Sequence, residues 1–215
     1  MPGGCSISVL HRYCVRDHVA FRERRKIANT ASLLKAEDQY LVALAVGSQD
    51  TTAFGELIRR HQSQIRNFLR KLTGDFSAAD DLAQDCFLHA WDKLQTFSGR
   101  GSFIGWLLKV AYTTFLQSKR KSKRYAEVLD EAGHVAQIES RSYTQDSVEV
   151  SDLDKLLAAL TQEERAILIM SYACGLSHRE IGEATGLPVG TVKSVIFRGK
   201  EKIRTSFDIK DHQHG

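Results

Sequence analysis

Three observations predict an all-α fold for this chain of 215 residues. Apolar side chains recur at spacings of three and four, no stretch alternates with period two over the length of a strand, and two prolines leave helices uninterrupted. The composition, 42% hydrophobic and 26% charged, is that of a core-forming protein rather than a disordered or fibrous one. No window approaches the roughly 18 consecutive apolar residues of a membrane span, and residues 1–12 lack the charged-then-apolar order of a signal peptide. A cytoplasmic protein without membrane insertion is therefore expected. Cys5, Cys14, Cys86 and Cys174 are scattered with no CxxC pair, which argues against a disulfide framework and a structural zinc site.

The elements follow from the apolar spacing. Residues 1–36 hold seven basic and two acidic side chains, a net charge of +5, with poor helical period; a partly disordered basic extension is expected, with no function assigned. Within a first block, residues 37–125, Phe54, Leu57, Ile58, His61, Ile65, Phe68, Leu69 and Leu72 mark one face of a long helix ending near Gly74. Leu82, Ala83, Cys86, Phe87, Ala90, Trp91 and Leu94 mark a second helix, closed by the glycine-containing residues 98–102. Phe103, Trp106, Leu107, Val110 and Ala111 begin a third. Residues 126–154 carry eight carboxylates against Arg141 alone, a net charge of −7, so the domain boundary is placed there, with an acidic linker at 126–151. A second helical block occupies 152–207, and 208–215 form a tail.

Thr161 with Glu164, and Ser177 with Glu180, have the S/T-x-x-E spacing of a capping box, so each marks a helix start. Gly186-Leu187-Pro188 follows, with glycine suited to a left-handed helix end and proline to the first turn of the next helix. The helix expected at 189–204 contains Lys193, Arg198, Lys200, Lys202 and Arg204 against Glu201, with Val192, Ile196 and Ile203 on a packed side. A helix-turn-helix that reads a major groove needs this combination. In the first block Asp80, Asp81, Gln84 and Asp85 lie beside Phe87 and Trp91. A solvated acidic face is one reading; a Mg²⁺ site of the isoprenoid-synthase kind is another, but it needs a second acidic motif that the chain lacks. Lys119, Arg120, Lys123 and Arg124 would share one side of a continuing helix and suit a phosphate track. The histidines form no ligand set, and neither the Ser-His-Asp order nor a P-loop is present, so no catalytic residue, metal or cofactor is expected.

S-H-R-E-I-G-E-A-T-G-L-P-V-G-T-V-K-S-V-I-F-R-G-K, at residues 177–200, resembles the promoter-binding helix-turn-helix of bacterial sigma factors, especially the extracytoplasmic-function (ECF) group. The resemblance implies that Thr191, Lys193, Ser194, Phe197 and Arg198 meet the minus-thirty-five element. D-D-L-A-Q-D-C-F-L-H-A-W, residues 80–91, is similar to the segment with which that family docks on the clamp helices of RNA polymerase, which implies polymerase-binding roles for Asp80, Asp81, Gln84, Asp85, Phe87 and Leu88. S-G-R-G-S-F at residues 98–103, with Trp106 and Leu107, resembles the family's specificity loop. It implies that Ser98, Gly99, Arg100 and Ser102 surround a base extruded from the non-template strand of the minus-ten element. Phe103 and Trp106 are expected in the core rather than stacked on that base. Thr113 and Gln117 align with promoter-reading positions but replace the family's usual asparagine and acidic residue; Val195 stands where a basic residue is common, which implies a weaker phosphate contact, and Gly199 where alanine is usual, at a cost in helix stability of about 1 kcal/mol. The implied fold is two helical domains, sigma regions 2 and 4, on the linker. The implied partners are core RNA polymerase and promoter DNA, with an anti-sigma factor as a further candidate, and the implied regulon is one of stress or signal response. The rival reading is a free-standing helix-turn-helix regulator.

Overall fold

The computed structural model describes residues 33–131 and 156–207. The basic extension at 1–32, most of the acidic linker and the tail lie outside these residues. Every regular element among the described residues is helical.

Helix α1 (Asp38–Gly47) buries Leu41, Val42 and Ala45. Asp50 then caps α2 (Thr51–Thr73), its Oδ1 accepting from the N–H groups of Thr52 at 2.8 Å and Ala53 at 3.3 Å. Helix α3 (Phe76–Lys93) is capped in the same way by Asp75, which accepts from the Ala78 N–H at 2.9 Å, and a short 3₁₀ turn (Leu94–Thr96) ends it. Helix α4 (Phe103–Glu131) is 29 residues long, about 43 Å at 1.5 Å per residue. The C-terminal block contains α5 (Gln162–Leu168), which runs into a π-helical turn (Ile169–Ala173), then α6 (His178–Thr185) and α7 (Val189–Phe207).

Both expected capping boxes are formed, at Thr161 and Glu164 and at Ser177 and Glu180. Gly186 closes α6 in the left-handed conformation, φ 78°, which a side chain would strain. Pro188 directly precedes α7, and its carbonyl accepts the N–H of Val192 at 3.0 Å. The sequence therefore dictates both the break and the restart of the helix.

The chain divides into two compact units with the boundary between Arg59 and Arg60, inside α2. In the first, Leu33, Leu41, Val42, Ala45, Ala53, Phe54 and Leu57 are buried. Glu56 is buried with them, and Arg59 neutralises its carboxylate with two hydrogen bonds of 2.7 and 2.8 Å. In the second unit α4 packs on α3 along one side and on α6 along another, while α7 packs on α5 and α6. Its core includes Phe68, Leu69, Cys86, Leu108, Phe115, Ile167, Met170, Ile181 and Val192. Truncating Phe68 or Phe115 to alanine would leave a cavity and cost about 3 to 5 kcal/mol.

Candidate functional site

Helix α3 has two chemically distinct sides. Ala79, Leu82, Ala83, Cys86 and Ala90 are buried, while Asp80, Asp81, Gln84, Asp85 and Leu88 are exposed and Phe87 is half-buried. Leu88 is 65% exposed within α3, which leaves an apolar side chain beside three carboxylates and largely uncovered among the described residues. Asp80 lies 3.4 Å from Arg66, both well exposed. The burial of Cys86 pushes its thiol up to about 12, so it behaves as a small hydrophobe.

The stretch between α3 and α4 turns at Gly99 and Gly101, both with positive φ. Phe97, Phe103 and Trp106 cluster behind it, with ring centroids 5.6 to 5.9 Å apart, and His61 lies 5.5 Å from Phe103. Phe103 is 4% exposed, as expected of a core residue, and Trp106 is half-buried at the edge of the cluster. A cavity of about 190 Å³ opens beside Trp106, bounded by Phe97, Ser98, Arg100, Ser102 and Lys109 and by residues of α6. Along α4, the Thr113 hydroxyl donates to the Lys109 carbonyl at 2.8 Å, and Gln117 is exposed. The helix continues through Lys119, Arg120, Lys123 and Arg124, all exposed. Lys119 lies 5.9 Å over the Phe115 ring, and Lys123 is 3.8 Å from Glu127.

On α7, Thr191, Lys193, Ser194, Phe197 and Arg198 are all exposed, while Val192, Val195 and Ile196 are buried. Two departures noted in the sequence acquire a different meaning here. Val195 is 3% exposed, so it is a core residue of this helix and not a missing phosphate contact. At Gly199 an added Cβ would overlap Leu168 Cδ1, so glycine admits close approach of α7 to α5. The basic residues of α7 also divide: Lys202 donates to both carboxylate oxygens of Glu164 at 2.7 and 2.9 Å, and Arg204 pairs with Glu201 at 2.5 Å. Tyr172 was not singled out in the sequence. The π turn leaves it 62% exposed, with the Lys200 ammonium 5.9 Å above its ring. No sequence pattern marks a π turn, so no signal could have found it.

The carboxylate of Glu180 joins the two blocks. Its Oε2 accepts from the Ser177 N–H and hydroxyl at 2.9 and 2.8 Å, completing the capping box. Its Oε1 accepts from the Ser102 hydroxyl at 2.5 Å and the Ser102 N–H at 3.3 Å. The Ser102 hydroxyl, aided by Ser177 and both backbone N–H groups against the opposing effect of burial, draws the Glu180 carboxyl down to about 2. Two further bonds link the same blocks: Gln64 Nε2 donates to the Cys174 carbonyl at 3.4 Å and Arg165 Nη1 to the Lys71 carbonyl at 3.5 Å. Among the described residues no group of three or more His, Cys, Asp or Glu side chains could hold a metal, and no helix is long and apolar enough to cross a membrane.

The family model for Sigma-70 region 2 matches residues 57–125, and that for Sigma-70 region 4 matches residues 151–203. The ECF RNA polymerase sigma factor SigW of Bacillus subtilis is 30% identical over 169 residues, which cover 74% of this chain and 89% of SigW. The chain belongs to the ECF sigma factors of the sigma-70 family. SigE of Mycolicibacterium smegmatis, also an ECF sigma factor, is 32% identical over 156 residues, 71% of this sigma factor and 60% of SigE. The sigma factor RpoE of Bartonella quintana, solved in complex with the anti-sigma factor NepR, shares the fold with a TM-score of 0.59 at 25% identity, over 73% of this chain and 98% of that one. As a sigma factor the chain acts in transcription initiation by RNA polymerase, and the matches span both helical blocks, which a free-standing helix-turn-helix regulator does not require.

Proposed function

We propose that this sigma factor docks on core RNA polymerase through the exposed side of α3 and reads promoter DNA with two separate surfaces. The observation that carries the reading is the division of α3: its apolar side is consumed by the core, while Asp80, Asp81, Gln84, Asp85 and Leu88 remain exposed together. Carboxylates around an apolar anchor suit a partner surface of basic residues with an apolar pocket, since the charges steer the encounter and the anchor supplies buried area. Residues 37–125 form the first functional domain in this reading, 126–151 the linker and 152–207 the second domain.

Ser98, Gly99, Arg100 and Ser102 receive an extruded minus-ten base, with Thr113 and Gln117 further along α4 reading the same strand. Lys119, Arg120, Lys123 and Arg124 follow its phosphates. Thr191, Lys193, Ser194, Phe197 and Arg198 enter the major groove of the minus-thirty-five duplex. The protein carries out no reaction of its own, acts in the cytoplasm, and has an anti-sigma factor as a partner, as its Bartonella relative does. Reversing charge at Asp81 and Asp85 tests the docking directly. Affinity for core polymerase should fall about tenfold or more with the helical circular dichroism unchanged, and undiminished co-elution with polymerase would refute it.

A further inference from the structure

The cavity beside Trp106 has a feature that promoter reading does not call for: one wall belongs to α6, and a carboxylate from that wall occupies the hydrogen-bond donors of the loop. Ser102 offers two donors, its N–H and its hydroxyl, and Glu180 Oε1 accepts from both. The Ser102 hydroxyl oxygen in turn accepts from the Gly105 N–H at 3.1 Å. The fit is close: a Cβ on Gly105 would lie 3.0 Å from Ser102 Oγ and 3.2 Å from Glu180 Oε1.

We infer that Glu180 is an intramolecular stand-in for the extruded base, so that the free chain holds its minus-ten loop closed with the first helix of its own helix-turn-helix. The inference rests on the proposed role of residues 98–102. A carboxylate oxygen presents lone pairs to a backbone N–H and a hydroxyl as the ring nitrogens and carbonyls on a base edge do, and the same two donors cannot satisfy both. Gln64 to Cys174 and Arg165 to Lys71 add two links on neighbouring elements. Loading of DNA then requires α6 to leave the loop, and apparent affinity is reduced by the fraction of chains that are closed. The loop should also prefer a base that turns hydrogen-bond acceptors toward Ser102.

Glu180→Gln separates the two duties of the side chain. Glutamine still serves a capping box, and with its one oxygen on Ser177 it turns an NH₂ group toward the Ser102 N–H. Glu183→Gln, one turn along on the exposed side and paired with Arg179 at 3.0 Å, removes the same charge without touching Ser102. Binding of the full chain to short single strands of deoxyadenosine, deoxycytidine and deoxythymidine, and to an abasic strand of equal length, is measured by fluorescence anisotropy. Hydrogen exchange at residues 101–105 reports the clasp itself.

The expected result is faster exchange in Glu180→Gln and about tenfold tighter binding to at least one base-bearing strand, with no gain on the abasic strand and none in Glu183→Gln. Equal gains in the two variants, or on the abasic strand, would mean simple relief of charge repulsion and overturn the clasp. Unchanged exchange, or faster exchange without tighter binding, would overturn it too while leaving the role of the loop intact. If neither chain distinguishes any base-bearing strand from the abasic one, the loop receives no base, and the clasp falls with the reading beneath it.

Discussion

The two capping boxes of the C-terminal block use the same four-residue motif and differ in what their second oxygen does. At the start of α5, Glu164 Oε2 serves Thr161, and Lys202 of α7 bridges both oxygens from within the same block. At the start of α6, Glu180 Oε2 serves Ser177, and Oε1 reaches Ser102, 78 positions earlier in the chain. One motif thus makes a local brace and a long-range clasp. A capping glutamate needs only one acceptor for its own helix, so the other is available to whatever donor tertiary packing places there. The charges respond accordingly. Partial burial pushes the Glu164 carboxyl up, but Lys202 and Thr161 outweigh it and leave the group below its ordinary value. Glu180, with two hydroxyls and two N–H groups, falls further, to about 2.

The comparison is broken most severely through the backbone. A Cβ on Gly182 would lie 2.8 Å from the Leu187 carbonyl oxygen, so Gly182→Ala must push α6 from the turn while both caps stay intact. Its expected cost is about 2 kcal/mol in urea melts of the full chain. A melt indistinguishable from the wild type would show that the turn is less tightly held than the structure describes.

Glu164→Ala removes a cap and an ion pair together, and should cost about 1 to 2 kcal/mol. Thr161→Ala and Ser177→Ala should each cost about 1 kcal/mol; a much smaller loss at Ser177 would indicate that Ser102 holds Glu180 in place without the cap. Lys202→Met should cost no more than about 1 kcal/mol, because its ammonium is half-exposed.

Acid sharpens the comparison last. Each carboxyl has a folded pKa below its unfolded value, so its stabilisation is complete above the unfolded value, near pH 4.5, and is lost as pH falls through the folded one. Carboxyl resonances followed by NMR should show Glu180 titrating near pH 2, and replacement by glutamine should flatten the acid limb of stability. A Glu180 midpoint at an ordinary carboxylate value would show that the bond to Ser102 is not held in solution.

Much of this arrangement was legible beforehand because its causes are local. The three- and four-residue spacing of Phe54 to Leu72 marked α2, and the caps at Thr161 and Ser177 with Gly186 marked the helix-turn-helix. The exposed set on α3 followed from helical period, since residues spaced like Asp81, Asp85 and Leu88 must share a side when Leu82, Ala83 and Cys86 face the core. Helix α1 escaped notice because Leu41 to Val46 is apolar at every position and so has no period, although only Leu41, Val42 and Ala45 are buried. The sequence alone settled the all-α class, the capped starts of α5 and α6 and the turn before α7, since hydrogen bonds and side-chain period within a few residues decide them. Only the tertiary structure decided that Val195 is core, that Gly199 answers Leu168, that Lys202 belongs to Glu164 and that Glu180 reaches Ser102. Each depends on which distant surface packs against a helix, and no residue's nearest neighbours in the chain carry that information.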